Sequence, residues 1–148
     1  TGIDEQRLQH KIGVIERALQ VNQLNQPRGG ETLAKVGGFE IGAMAGAMIA
    51  AAARRVPVLL DGLISTAAAL IAAQFAPDLR HALIAAHRSA ERGHRAALDW
   101  LALEPLLDLD LRLGEGTGAL LALPVVEAAM RTLQEMATFD EAGVSEKD

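Results

Sequence analysis

Three short strand-like segments, each followed by a helix-length segment, constrain the fold of this chain more than any other feature. They span residues 56–60, 83–87 and 105–113, and in the third Leu alternates with Asp or Arg from 107 to 113. Strict alternation is typical of an extended segment with one buried face. Strands that alternate with helices pair in parallel through right-handed crossovers. The sequence therefore predicts an α/β fold with a parallel sheet of about three strands flanked by helices.

Apolar periodicity predicts the helices around this sheet. Leu8, Ile12, Ile15 and Leu19 step by four, three and four residues, which places one face of a helix over about 4–21. Pro124 is expected to kink the last helix or reset its start. The other predicted elements are a polar loop at 22–30, helices at about 39–55, 62–75, 90–103 and from about 118, and a loose tail at 144–148.

The chain of 148 residues has the length of a single α/β domain, 1–148, closed by a C-terminal helix and tail at 118–148. A three-stranded sheet buried on both faces would lack neighbouring strands. That shortage favours a missing portion or a partner chain, and a first residue other than Met favours a piece of a longer protein.

Composition and charge argue against several functional classes. A formal net charge of -5 with only three Phe and one Trp argues against a nucleic-acid partner, which would need a basic face and stacking rings. The absence of cysteine excludes disulfides and zinc-thiolate sites, and it fits a cytoplasmic protein. The apolar run 41–53 stops at Arg54, short of the roughly 20 residues of a membrane span. It predicts a buried helix packed closely at Gly42 and Gly46.

Polar residues follow each predicted strand. Asp61 and Gly62 follow the first strand, the segment 87–91 follows the second and the segment 114–117 follows the third. Ligands of open α/β sheets bind beyond the carboxyl ends of the strands. The sequence therefore predicts that these three segments form one site.

The third of these segments carries a single carboxylate, Glu115, between Gly114 and Gly116. Glycines on both sides let the backbone turn sharply and leave the carboxylate open to a ligand. In an apolar pocket such a carboxylate would bind protons more tightly and act as a general base. The start of the following helix could hold an anion. The alternative is a simple strand-to-helix turn with an exposed Glu.

Several other polar residues have two interpretations each. Asp61 and Ser89 either bind a ligand or cap the helices that follow them. Lys11, at the edge of the first helix's apolar stripe, is either a surface lysine or a cation for a phosphate. Gly37 and Gly38 either admit an anion at a helix start or simply form a turn.

His87, Glu91 and His94 have the i, i+4, i+7 spacing of metal ligands on a helix. No metal site is predicted, because His87 falls on a strand and no fourth ligand is evident. A triad of Ser89, His94 and Asp61 is not supported either, since the chain has no G-x-S-x-G turn.

Taken in order, the motifs of this chain resemble the nicotinate-nucleotide–dimethylbenzimidazole phosphoribosyltransferase family of cobalamin lower-ligand synthesis. The resemblance covers essentially the whole chain. It rests on T-G-I-D at 1–4 with Lys11, V-G-G-F-E-I-G-A-M-A-G at 36–46, V-P-V-L-L-D-G at 56–62, A-H-R-S-A-E at 86–91, E-P-L-L-D-L-D-L-R-L-G-E-G-T-G-A at 104–119 and E-M-A-T-F at 135–139.

The resemblance implies transfer of the phosphoribosyl group of nicotinate mononucleotide to 5,6-dimethylbenzimidazole, with no cofactor and no metal. It implies a Rossmann-like three-layer fold, of which this chain is the C-terminal part, and a homodimer. Glu115 would be the general base and Lys11 the phosphate ligand. Further substrate-binding residues would be Gly2, Gly62, Ser89, Leu113, Gly114 and Gly116, with Asp61, Gly37 and Gly38 as additional candidates.

The family's chain is longer at its N-terminus, where it carries part of the acceptor pocket. The resemblance therefore implies a folded chain that is weakly active or inactive alone. The alternative is a non-catalytic nucleotide-binding or assembly module with the same fold.

Overall fold

A computed structural model of the chain describes residues 4–24 and 28–144. The elements of this α/β fold follow in the order α1 (Glu5–Val21), α2 (Gly29–Val36), α3 (Phe39–Ala53), β1 (Val58–Leu60), α4 (Leu63–Phe75), a 3-10 helix (Pro77–Ala82), β2 (Leu83–Ala85), β3 (His87–Ser89), α5 (Arg92–Leu101), β4 (Leu107–Leu111) and α6 (Thr117–Glu135). The predicted α/β class is confirmed.

The strands form two parallel pairs, β1 with β2 and β3 with β4. Ala86 joins the pairs, because its N–H donates to the Leu60 carbonyl at 2.9 Å and its own carbonyl accepts from Leu107 N–H at 3.0 Å. The segment 83–89 thus runs between β1 and β4, and it contains the second strand predicted at 83–87. The middle segment divides into two short strands at Ala86, where its pairing passes from β1 to β4. The β3–β4 register also shifts between His87 and Ser89.

Helix α4 occupies the centre of the packing, and its sequence is apolar almost all round. Ala68, Ala69 and Ala72 are completely buried. Helices α2, α3 and α5 all pack against α4. Small alanine side chains let these helices approach α4 closely, so the core is formed by helix contacts as much as by the sheet.

Helix α2 replaces part of the loop predicted at 22–30 and extends to Val36. The Gln74 side chain on α4 accepts a hydrogen bond from Gly29 N–H at the start of α2. Leu33 of α2 packs on Gly42 of α3, where an added Cβ would lie 3.3 Å from a Leu33 methyl carbon. A Cβ placed on Gly46 would meet no described atom within 4 Å. Close packing in the 41–53 run is therefore confirmed at Gly42 and wrong at Gly46.

The first and last helices are the least covered. Helix α1 is capped by Asp4, whose carboxylate accepts a hydrogen bond from Arg7 N–H at 2.8 Å, but none of the residues of α1 is buried. Helix α6 continues through Pro124, so the prediction that this proline resets the helix start is wrong. Within residues 4–24 and 28–144, no helix is long and apolar enough to cross a membrane.

Candidate active site

A cleft of about 630 Å³ lies at the carboxyl ends of the strands. All three segments predicted to converge contribute to it. Its walls are formed by Met44, Asp61, Gly62, Leu63, Ile64, Ser65, His87, Ser89, Glu91, Arg112, Gly114, Glu115 and Gly116. The polar ends of β1, β3 and β4 are thus brought together because parallel strands end at the same edge of the sheet.

The turn 114–116 lies between β4 and α6 and has three successive residues in the left-handed region. The φ angles are 82° at Gly114, 56° at Glu115 and 79° at Gly116. A Cβ at either glycine would meet no described atom within 4 Å, so backbone conformation and not space calls for glycine here. The two glycines carry most of the turn, and Glu115 alone adopts a conformation that costs a non-glycine residue about 1–2 kcal/mol.

Glu115 lines the cleft but is exposed to solvent. The apolar enclosure predicted for its carboxylate is not formed by the described part of this chain. The predicted open presentation between two glycines is what the turn achieves.

Asp61, at the end of β1, caps a helix other than the one that follows it. Its Oδ1 atom accepts hydrogen bonds from Gly118 N–H at 2.7 Å and Ala119 N–H at 3.1 Å, in the first turn of α6. Helix α4, which follows Asp61 in the chain, has Gly62 as its N-cap residue and no side-chain cap. Capping of α4 by Asp61 was therefore wrong. Two of the amides expected to attract an anion at the start of α6 are already bound to the chain's own carboxylate.

His87 lies beside Asp61 and is buried, with only 4% of its surface exposed. Its Nε2 atom is 3.8 Å from Asp61 Oδ1, too far for a hydrogen bond. The imidazole ring packs directly on Gly118, where an added Cβ would fall 1.8 Å from the His87 Cδ2 atom. His87 thus supports the first turn of α6 from the neighbouring strand.

His94 is enclosed by hydrogen bonds of the fold. Its Nδ1 atom accepts from Ser89 N–H at 2.9 Å, so the proton is on Nε2, which donates to Thr66 Oγ1 at 3.0 Å. The Thr66 hydroxyl donates in turn to the Gly62 carbonyl at 2.9 Å. Burial lowers the pKa of His94, and the neighbouring His87 lowers that pKa further, so the ring is neutral. With both nitrogens engaged, His94 links three elements and is unavailable as a metal ligand or catalytic base.

Ser89 and Gly62 face each other across the floor of the cleft. A Cβ on Gly62 would lie 3.8 Å from Ser89 Cβ and 3.8 Å from His87 Nε2, which is ordinary contact. The Ser89 hydroxyl also accepts from Glu91 N–H at 3.3 Å, close to the start of α5. The hydroxyl therefore holds the turn before α5 without capping that helix, whose N-cap residue Glu91 marks a start with no side-chain cap, so the capping interpretation of Ser89 is wrong.

Other predicted site residues lie away from the cleft lining. Lys11 is exposed on α1, and Leu113 is 74% exposed beside the turn. Gly37 lines a separate groove, and Gly38 is the N-cap residue of α3. Gly2 lies outside the described residues. The binding roles suggested for these residues stay predictions.

Comparison with known proteins gives the family. A family model described as phosphoribosyltransferase matches residues 1–144. Proteins named nicotinate-nucleotide–dimethylbenzimidazole phosphoribosyltransferase are 63% identical over 147 residues in Chloroflexus aggregans and 60% identical over 146 residues in Syntrophotalea carbinolica. Each alignment covers 99% of this chain. The chain belongs to the nicotinate-nucleotide–dimethylbenzimidazole phosphoribosyltransferase family.

Solved structures of the nicotinate-nucleotide–dimethylbenzimidazole phosphoribosyltransferase family share this fold. A crystal structure of CobT from Thermus thermophilus superposes with a TM-score of 0.90 at 49% identity, covering 99% of this chain and 44% of that one. A second structure of the transferase from the same organism gives a TM-score of 0.77 at 51% identity, covering 83% of this chain and 37% of that one. The chain spans 42% of the length of the Chloroflexus aggregans relative.

Several residues that line the cleft were not predicted from the sequence. Arg112 is the one guanidinium or ammonium group among its described lining residues, and Met44, Ile64 and Ser65 also contribute. Arg112 stands two residues before Gly114, so its place near the end of β4 was a usable signal. Met44 had no such signal, because α3 is separated from the other cleft segments in sequence and meets them through packing alone.

Proposed function

We propose that this chain is the C-terminal catalytic portion of an enzyme that transfers the phosphoribosyl group of nicotinate mononucleotide to 5,6-dimethylbenzimidazole. The products are α-ribazole 5′-phosphate, a precursor of the cobalamin nucleotide loop, and nicotinate. The names of the relatives support this reaction. The observation that carries the proposal is the left-handed turn that presents Glu115 at a cleft beyond the strand ends.

In the proposed mechanism, Glu115 takes the proton from one nitrogen of the benzimidazole. The other nitrogen attacks the anomeric carbon of the ribose, a new C–N bond forms, and the bond to nicotinate breaks with its electron pair leaving on the nicotinate nitrogen. Attack opposite the leaving group converts the β-nucleotide into an α-riboside. A carboxylate open to the cleft can reach a nitrogen-bound proton of a planar acceptor.

Binding roles in this proposal follow the family resemblance. Lys11 binds the 5′-phosphate, Gly2, Gly62 and Ser89 line the nucleotide site, and Leu113 flanks the acceptor beside the 114–116 turn. Because Lys11 is exposed on α1 and outside the cleft lining, a complete substrate site needs additional lining residues, which form its remaining walls. We assign those walls to the portion of the relatives that this chain does not span, and we expect the chain alone to be weakly active or inactive.

The proposal includes a homodimer in the cytoplasm. Exposed apolar side chains on the first and last helices support association with another surface: Ile12, Ile15 and Leu19 on α1, and Leu120, Met130 and Leu133 on α6. The absence of cysteine fits a reducing compartment. Sedimentation equilibrium over a range of concentrations tests the dimer.

The alternative function is a non-catalytic nucleotide-binding or assembly module. The solvent exposure of Glu115 favours it, because a general base gains from an enclosed site. The two functions differ in one respect that can be measured. A module would bind the mononucleotide without releasing nicotinate.

The test uses a chimera in which this chain replaces the matching 147 residues of the Chloroflexus aggregans relative. Nicotinate release from nicotinate mononucleotide and dimethylbenzimidazole is followed by chromatography. We expect turnover by the chimera and a fall of about 10²–10⁴-fold with Glu115→Gln, the range for loss of a general base. Glu135→Gln, at the exposed end of α6, is the control and should leave the rate unchanged. A folded chimera without turnover would leave the binding module as the function.

A further inference from the structure

We propose that Asp61 is a positioning residue for Glu115, acting through the first turn of α6. The inference rests on the proposed function for its catalytic consequence. Asp61 stands at the end of β1 and Glu115 stands 54 residues later (115 − 61) in the turn after β4. The structure brings the two together because the Asp61 carboxylate binds amides three and four residues beyond Glu115.

The start of α6 lacks a side-chain cap of its own. Its N-cap residue is Gly116, which has no side-chain oxygen to accept the first free amides. Asp61 Oδ1 supplies that acceptor from another strand, at 2.7 Å from Gly118 N and 3.1 Å from Ala119 N. Capping oxygens stabilise a helix start by about 0.5–2 kcal/mol. The start of α6 is therefore fixed by hydrogen bonds to a residue at the end of β1.

The turn 114–116 has little else to hold it. Two of its carbonyls accept backbone hydrogen bonds from α6, Gly114 from Thr117 N–H at 3.1 Å and Gly116 from Leu120 N–H at 2.9 Å. A Cβ on Gly114 or Gly116 would meet no described atom within 4 Å. Because both hydrogen-bond donors belong to α6, the position of Glu115 depends on the helix that follows it.

His87 also contacts the first turn of α6. Its ring packs against Gly118, whose amide donates to Asp61, and its Nε2 atom lies 3.8 Å from the same Asp61 oxygen. Asp61 and His87, which belong to neighbouring strand segments, thus both contact Gly118 of α6. Gly118 is glycine because the His87 ring occupies the space of a side chain.

The same contacts distinguish positioning from substrate binding. Asp61 Oδ1 accepts hydrogen bonds from two amides, so Asp61 acts in the fold as a hydrogen-bond acceptor. Asparagine offers the same acceptor and is an equally good helix cap, whereas alanine offers none. A substrate ligand that used the charge would not tolerate asparagine.

One experiment measures the contact itself, independently of activity. Amide ¹H–¹⁵N spectra and hydrogen exchange of this chain are compared for the wild type, Asp61→Ala and Asp61→Asn. We expect Asp61→Ala to shift the amide signals of residues 114–119 and to speed exchange at Gly118 and Ala119, with Asp61→Asn close to wild type. Unchanged signals and exchange at 114–119 in Asp61→Ala would overturn the inference.

A second experiment measures the catalytic consequence in the chimera. We expect Asp61→Ala to lower kcat by about tenfold to a hundredfold, the effect of a small misplacement of a reacting group, with KM for nicotinate mononucleotide changed less than about twofold. Asp61→Asn should restore most of kcat. Asp99→Ala, which removes an exposed carboxylate on α5, should match wild type.

The double variant separates positioning from direct contact. If Asp61 acts through Glu115, Asp61→Ala should add little to the loss already caused by Glu115→Gln. A further loss in that background, or a raised KM with Asp61→Asn as slow as Asp61→Ala, would instead make Asp61 a substrate ligand. A chimera that is inactive without any substitution would refute the proposed function, and the amide spectra would still decide whether Asp61 holds the turn.

Discussion

Three glycines of this site are required for two different physical reasons. Gly114 and Gly116 are needed for left-handed φ angles, which the flanking of Glu115 by glycines already suggested. Gly118 is needed for a different reason, because the ring of His87 lies where its Cβ would be. A glycine required by conformation was recognisable from its neighbours in sequence, and a glycine required by space was not.

Replacing Gly118 by alanine tests this distinction. Alanine normally stabilises a helix relative to glycine by about 1 kcal/mol. Here the added Cβ would be 1.8 Å from His87 Cδ2, so we expect the free energy of unfolding to fall by about 1–3 kcal/mol. Urea unfolding measures it.

Gly46→Ala is the matched control, because that helical position has no described atom within 4 Å of an added Cβ. It should raise the free energy of unfolding by about 0.5–1 kcal/mol. An equal gain from Gly118→Ala would show that His87 moves aside freely.

At the scale of elements, the sequence patterns identified those helices and strands whose own periodicity is strong. The predicted helices at 4–21, 39–55, 62–75 and 90–103 correspond to α1, α3, α4 and α5 with shifts of up to two residues at their ends. Helix α2 was missed because it is short and begins with two glycines. A hydrogen bond to Gln74 of α4 and the packing of Leu33 on Gly42 keep it helical.

Elements also differ in how much of each is covered. Helix α5 inserts Leu98, which is 2% exposed, into the core, whereas Leu133 near the end of α6 is 87% exposed. Removing buried methyl groups costs about 2–5 kcal/mol, so Leu98→Ala should lower the free energy of unfolding by that amount. Leu133→Ala should change it by less than about 0.5 kcal/mol. Chemical unfolding of both variants at low protein concentration measures these changes. Equal losses of unfolding free energy would mean that Leu133 on α6 is buried against another surface in solution.

The whole molecule is held at the strand ends by a chain of buried hydrogen bonds. Ser89, His94, Thr66 and Gly62 connect β3, α5, α4 and the end of β1. Gly62 and Ser89 line the cleft, so the network supports its floor. Ser89 and His94 are close in sequence, as are Thr66 and Gly62, but the bond between His94 and Thr66 joins residues 28 positions apart, so sequence spacing alone could not reveal the network.

This network predicts how stability depends on pH. The pKa of His94 is lowered in the folded chain by burial and by His87, with Asp61 opposing, while the unfolded chain titrates near the usual value of about 6.5. Above that value the stabilising effect of neutral His94 is fully present. Below it the unfolded chain binds the proton first, so the free energy of unfolding should decrease from about pH 7 to about pH 5.

Urea unfolding midpoints across this range check the prediction. His94→Gln should lower stability at neutral pH but reduce its decrease on acidification. His10→Gln, an exposed histidine on α1, is the control and should leave the decrease unchanged. The same decrease in wild type and His94→Gln would assign the acid sensitivity to other groups.

The sequence by itself determined the α/β class, the parallel orientation of the strands and the convergence of three polar segments at one edge of the sheet. These follow from local periodicity and from the fact that parallel strands end on the same side. It also located Glu115 between its glycines, since that pattern is contained in three adjacent residues.

Only the tertiary structure decided what Asp61, His87 and His94 do. Asp61 caps a helix far along the chain, His87 supports that helix and His94 joins three elements through two nitrogens. Tertiary structure likewise decided that Lys11 lies outside the cleft lining and that Arg112 and Met44 lie within it. The physical reason is common to all of them: a hydrogen bond or contact between distant segments depends on how the elements pack, and local sequence carries no record of that packing.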